Sequence, residues 1–174
     1  MSILINFEFK AKVASLEPYE NKLLSLKPDF KGIDHQVDYY FHTEKGRLKL
    51  RTGNIENALI HYDRSDSIHA RESKVILYKH VTDASLKEIL SIHLGVKTVV
   101  DKIRKIYFVE NVKFHLDLVH NLGTFIEVEA IDGEGQYSIE HLQAQCAYYM
   151  EFFGLKVENM IAKSYADLIM ESRV

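Results

Sequence analysis

Cysteine, proline and long apolar runs are all scarce in this chain, and each scarcity excludes a class of protein. The single cysteine, Cys146, cannot form an intrachain disulfide, which agrees with a reducing compartment. Its position in a helical pattern marks it as core filler. Two prolines and eight glycines in 174 residues leave no linker or low-complexity tail. No run of about 18 apolar residues occurs, so no membrane-spanning helix is expected. The opening Met1-Ser2-Ile3-Leu4-Ile5-Asn6 lacks the basic region and length of a signal peptide, which makes the cytoplasm the expected location, without membrane contact. Basic excess is missing too. A formal net charge of -3 provides no footprint for wholesale nucleic-acid binding. There is no Gly-x-x-x-x-Gly-Lys loop, so any phosphate must be held by side chains. The nine histidines show no zinc-site spacing with cysteines. His115 alone stands out, because it alternates with Asp117.

What is present is alternation. With 47% hydrophobic residues the chain can bury one substantial core, and one domain over residues 1–174 is expected. Apolar and polar residues alternate with period two in eight segments, near residues 3–13, 34–42, 46–52, 57–65, 70–79, 96–109, 112–119 and 123–132. Short connections such as Gly53-Asn54 and Glu110-Asn111 favour antiparallel neighbours. An even number of such strands can close on itself. The expected fold class is therefore α+β, an eight-stranded antiparallel β-barrel with helices packed outside.

Three or four helices are predicted. Ser15 caps the first, through about residue 26, with Pro18 in its first turn. Ser85 caps the second through Leu94, with Leu86, Ile89, Leu90 and Leu94 on one face and Gly95 as the stop. Ile139, Leu142, Cys146, Tyr149 and Phe153 line one face of a third, from Ser138. A short fourth follows Lys163. Each stripe needs an apolar sheet surface to cover, and Phe7, Phe9, Ala11 and Val13, with Ile126, Val128 and Ala130, supply one.

The opposite faces are ionic. Side chains two apart on a strand project together about 7 Å apart, so Asn6, Glu8, Lys10 and Lys12 form one row. Arg47, Lys49 and Arg51 form a second row, Lys102 and Arg104 a third, Glu127 and Glu129 a fourth. On any one strand a solvated outer face explains this. Rows of like charge on several strands cost stability unless a counter-ion compensates. A polyanion and a divalent cation would supply both, with carboxylates and phosphate oxygens around Mg2+ or Mn2+ and basic side chains on the remaining oxygens.

These residues resemble the CYTH family, named for a class IV adenylate cyclase and thiamine triphosphatase. The family's opening Glu-x-Glu-x-Lys is matched by Asn6-Phe7-Glu8-Phe9-Lys10. Further matches are residues 36–41, Gly46-Arg47-Leu48-Lys49-Leu50-Arg51, Lys102-Ile103-Arg104, residues 115–129 and Ser164-Tyr165-Ala166-Asp167-Leu168, in family order. The cyclase-like branch is the nearest in flavour, through Leu116-Asp117-x-Val119 and Leu122-Gly123-x-Phe125-x-Glu127-x-Glu129. The resemblance implies a triphosphate tunnel and an enzyme acting with Mg2+ or Mn2+ on a nucleotide or other organic triphosphate. Adenylate cyclase is the leading activity, and triphosphatase or a non-catalytic triphosphate sensor are its alternatives. It also implies Glu8, Glu127 and Glu129 as metal ligands. Lys10, Arg47, Lys49, Arg64, Lys102 and Arg104 become phosphate-binding residues, with Arg71 a weaker match. Lys10 and Asp117 are the catalytic candidates, Asp117 by orienting a basic partner or the nucleophile. Asn6 departs from the family's first glutamate and removes one negative charge from the cation site. A homodimer is among the assemblies the family allows.

Overall fold

A computed structural model describes residues 3–63, 71–81, 83–133 and 135–173, with the side chains of Ile3, Leu4 and Arg71 also left undescribed. Eight strands follow the alternating segments: β1 (Ile3–Val13), β2 (Asp29–Phe41), β3 (Arg47–Thr52), β4 (Ala58–Asp63), β5 (Arg71–Lys79), β6 (Val96–Val109), β7 (Val112–Val119) and β8 (Gly123–Asp132). All pair antiparallel, and the order β1-β5-β4-β3-β2-β6-β7-β8 closes into a barrel when β8 meets β1. The predicted barrel is therefore present. β2 begins five residues before the alternation suggests, because the chain bulges between Phe30 and Gly32 and shifts register there.

The inside of the barrel is ionic along β1, β2, β3, β6, β7 and β8 and apolar along β4 and β5, where Ala58, Ile60, Val75 and Leu77 line it. The outer face is apolar where a helix covers it. Phe7, Phe9, Phe114, Ile126 and Val128 point outward and are buried beneath α3 (Ile139–Phe153), whose Leu142, Cys146, Tyr149 and Phe153 complete this core. Phe114 meets Tyr149 edge-on at 4.7 Å between ring centres. Ser138 caps α3 as expected, its hydroxyl accepting from the His141 N–H. Gly154 ends the helix at φ 67°, a left-handed conformation that costs other residues steric strain. Cys146 is core filler as predicted: its thiol donates to the Phe7 carbonyl at 3.2 Å, and burial pushes its pKa up to about 12.

The other helices depart in part from expectation. Ser15 does not cap α1 (Glu17–Leu24), which starts after Leu16 without any side-chain cap. Asp83, not Ser85, caps α2 (Ala84–Leu94), by accepting the Ser85 N–H. The apolar face of α2 is not buried, and Ile89 stays 54% exposed. This helix rests on β2 through the Lys87 ammonium 4.5 Å from the Tyr39 ring. Helix α4 (Tyr165–Glu171) does more than pack outside. Tyr165, Ala166 and Ile169 share a core with Tyr40, Tyr62, Val100, Val119 and Phe125. Its first residue reaches the interior, where Tyr165 lines the tunnel. Among the described residues, no helix is long and apolar enough to cross a membrane.

Candidate functional site

The barrel encloses a cavity of about 430 Å³, and the ionic rows of the strands face it. Its two sides differ in sign. On the side built from β2, β3 and β6, Asp38 is only 2% exposed and faces three cations. Arg51 donates to both Asp38 oxygens, through Nε at 2.8 Å and Nη2 at 3.0 Å, while the ammonium groups of Lys102 and Lys49 reach Oδ2 at 2.8 and 3.2 Å. Burial alone would raise the Asp38 carboxyl, yet Arg51, Lys102 and Lys49 hold it well below the usual carboxylate range. One carboxylate cannot neutralise three cations. Burial, with the repulsion of Arg51, Arg104 and Lys49, brings the Lys102 amine down to about 7 against the pull of Asp38.

Register explains the cluster. Asp38 stands opposite Arg51 on β3, and Lys102 on β6 is opposite Gln36, one pleat away on the same β2 face. Arg104 lies further along β6, opposite Asp117 of β7, and donates to it in a two-pronged pair at 2.7 and 2.6 Å. Tyr165 also donates its hydroxyl to Asp117 at 2.8 Å. Asp117 is fully buried and both its oxygens are engaged. It fixes the Arg104 guanidinium, whose Nη2 also stands 3.6 Å from Glu127.

The other side comes from β7, β8 and β1. Register sets Glu8 and Lys113 on either side of Glu129, and Lys10 and His115 on either side of Glu127. Lys10 Nζ lies 3.3 Å from Glu127 and 4.0 Å from the Tyr165 ring centre. Burial tends to raise Glu127, but Lys10 and Arg104 lower it well below its usual value. Glu129 has the opposite fate. Burial, then the charges of Glu127 and Glu8, raise it to about 8. His115 is 1% exposed, and burial followed by Arg104 and Lys113 drives its pKa down to about 3.

A divalent cation fits this side. His115, Glu127 and Glu129 each offer a ligand atom within 4.8 Å of the others. Both ring nitrogens of His115 and the Oδ1 of Asn6 are buried without a hydrogen-bond partner. Such orphaned groups cost about 1–3 kcal/mol each unless something satisfies them.

The sequence-predicted residues fall into three groups. Glu8, Lys10, Lys49, Lys102, Arg104, Glu127 and Glu129 line one cavity together. Arg47 does not: it is tied to Asp167 of α4 at 2.8 Å. Arg64 and the side chain of Arg71 lie outside the described residues, although the Arg71 backbone pairs with Glu8. Asp38, Arg51, Glu56 and Lys113 were missing from the predicted set. Glu56, on the β3–β4 loop, accepts from Arg51 Nη1 at 2.8 Å and pairs with Lys113 across the barrel. Asp34 holds this loop by accepting the Ile55 and Glu56 N–H groups, and a Cβ on Gly53 would come within 2.6 Å of Asp34 Oδ1. The sequence signal for Arg51 was its shared row with Lys49. For Asp38 the signal was its place in the matched stretch 36–41, and for Glu56 no local signal existed.

This arrangement can be set beside known proteins. The CYTH domain family matches residues 4–165, nearly the whole chain. The protein belongs to the CYTH domain family. Similar solved structures include the PH1012 protein of Pyrococcus horikoshii, at 26% identity and a TM-score of 0.80, covering 94% of this chain and 98% of that one. A candidate adenylate cyclase from Vibrio parahaemolyticus superposes at 0.77 with 15% identity, covering 95% and 98%. The Schizosaccharomyces pombe RNA triphosphatase Pct1 superposes at 0.50 with 12% identity, covering 99% and 83%. At such low identity the last two share the fold alone with this CYTH chain. No curated protein sequence matches it.

Proposed function

We propose that this CYTH protein is a divalent-metal-dependent enzyme that binds a linear triphosphate inside its barrel and breaks one of its phosphoanhydride bonds. The observation that carries this reading is the division of one enclosed cavity into a side with three cations on one carboxylate and a side with clustered carboxylates and an unpartnered histidine. Lys49, Arg51 and Lys102 would take phosphate oxygens, since each already reaches into the cavity and Asp38 offsets only part of their charge. Arg104, locked by Asp117, and Lys10, over Tyr165, would hold the stretch between the two sides. Glu127 and Glu129, with Glu8, would hold Mg2+ or Mn2+. The ion would supply Lewis-acid polarisation of the phosphate oxygens.

The finer reading is conversion of ATP to cyclic AMP, in which the ribose 3′-hydroxyl attacks the α-phosphorus and pyrophosphate leaves. The resemblance of residues 116–129 to the cyclase-like branch favours it. Hydrolysis of the terminal phosphate would use the same clamp, with water attacking the γ-phosphorus to give inorganic phosphate while the nucleoside diphosphate leaves. ATP labelled at the α-phosphate, incubated with Mn2+ and resolved into cyclic nucleotide, diphosphate and unchanged ATP, separates the two. Turnover to either product supports a triphosphate enzyme. Unchanged ATP, together with no binding of ATP or tripolyphosphate, would refute it.

A further inference from the structure

We infer that His115 gives the tunnel's cation site a nitrogen ligand, so that the site prefers a first-row transition ion such as Mn2+ to Mg2+. This rests on the reading that the β7–β8–β1 side binds a divalent cation, and it adds which kind.

Four observations lead to it. His115 stands directly opposite Glu127 on the neighbouring strand, and its ring lies in the same cavity as the carboxylates. Its Nδ1 is 3.7 Å from Glu127 Oε1 and 3.6 Å from Glu129 Oε1. These separations are too long for hydrogen bonds. They suit two ligands of one ion, since donors at about 2.1 Å from an octahedral centre stand roughly 3–4 Å apart. Neither ring nitrogen has a hydrogen-bond partner, although the residue is only 1% exposed. Among the described residues, His115, Glu127 and Glu129 form the one cluster of such groups with cation-binding spacing.

The donor set decides the ion. Mg2+ is a hard cation that takes oxygen ligands and keeps several waters. Imidazole is a softer donor that suits first-row transition ions, Zn2+, Cu2+, Fe2+ and Ni2+ the most and Mn2+ the least. Mn2+ is therefore the strictest probe of the preference over Mg2+. Asn6 strengthens the preference, because a neutral amide replaces a carboxylate that would have enriched the site in oxygen charge. His80 also lines the cavity, but it groups with no carboxylate in this way.

The test is Mn2+ alone, added to the full-length protein and followed by electron paramagnetic resonance, with spin-echo modulation to detect a directly bound nitrogen. The expected result is bound Mn2+ with 14N modulation that becomes 15N modulation when histidine is isotopically labelled. Modulation should persist in His80→Gln and vanish in His115→Gln. In competition, His115→Gln should lose about tenfold or more in Mn2+ affinity, and Mg2+ affinity should change far less. Bound Mn2+ without nitrogen modulation, or modulation that survives His115→Gln, overturns the inference but leaves a carboxylate cation site standing. Equal losses for the two ions overturn the selectivity. If the wild-type protein binds no Mn2+ at all, both this inference and the cation reading of the site fail. If His115→Gln folds poorly, histidine-labelled His80→Gln gives the decisive spectrum, since His80 and His115 are the two histidines among the described residues that line the cavity.

Discussion

The two sides of the tunnel are made from the same kind of alternating strand, yet they are out of balance in opposite directions. Around Asp38 three cations share that carboxylate, with Glu56 reaching only Arg51, and burial together with the surplus cations brings the Lys102 amine down to about 7. Around Glu129 carboxylates crowd together, and burial, then the charges of Glu127 and Glu8, raise that acid to about 8. Each side relieves its surplus charge by moving one group towards neutrality. A barrel that only had to fold would gain by pairing the two sides with each other, as Arg104 and Asp117 do between them. The surplus left on each side is what a polyanion and a cation can satisfy.

The largest expected effect marks where pairing is complete. Arg104→Ala leaves Asp117 buried without a cation and with only the Tyr165 hydroxyl as a side-chain partner, so urea denaturation should show a loss of about 3–5 kcal/mol. Lys49→Ala should cost much less, because Asp38 keeps Arg51 and Lys102. Equal losses would erase the distinction between a finished pair and an unfinished cluster.

That distinction was only half legible in the sequence. Alternation placed all eight strands and the face of Lys10, Lys49, Lys102, Arg104, Glu127 and Glu129. Partners across strands depend on register, which alternation does not contain, so Asp38 passed as one more polar residue between Gln36 and Tyr40. The position of Arg47 was hidden for the same reason. It shares a row with Lys49 and Arg51, but it stands at the strand end where Asp167 of α4 takes it. Helix α2 shows the limit of periodicity from the other side, since an apolar stripe predicts a face without saying whether anything covers it.

Glu129→Gln sharpens the acidic half of the comparison. Mn2+ affinity should fall by about tenfold or more. Because the folded-state value of Glu129 is raised from 4.5 to about 8, its contribution to stability is fully present below pH 4.5 and is lost as the pH rises through 8. Glutamine has no proton to lose. The variant should therefore gain on the wild type as pH climbs from about 5 to 9 in parallel denaturation curves. A constant difference across that range would mean that Glu129 ionises normally.

A smaller, opposite pH effect is expected on the basic half. An anion beside Lys102 favours its charged form, so tripolyphosphate binding should draw in a proton near pH 7 and weaken as pH rises. Calorimetry in two buffers of different ionisation heat reads that proton. Subtracting the same titration of Lys102→Met removes the ligand's own protonation, and no difference between the two proteins would contradict the assignment. The smallest effect belongs to Arg47→Ala. Its ion pair with Asp167 is partly exposed, so stability should change by less than about 1 kcal/mol. Tripolyphosphate affinity, read in the same calorimeter, should hardly move.

The most direct test of a two-sided tunnel is a tripolyphosphate titration with and without saturating Mn2+. Two ligands that meet in one cavity, each relieving the other's charge, must be coupled. The account predicts a single tripolyphosphate site whose affinity rises by about fivefold or more when Mn2+ is present, with the same gain for Mn2+ when tripolyphosphate is present. Independent binding of the two, or binding of only one, would contradict it.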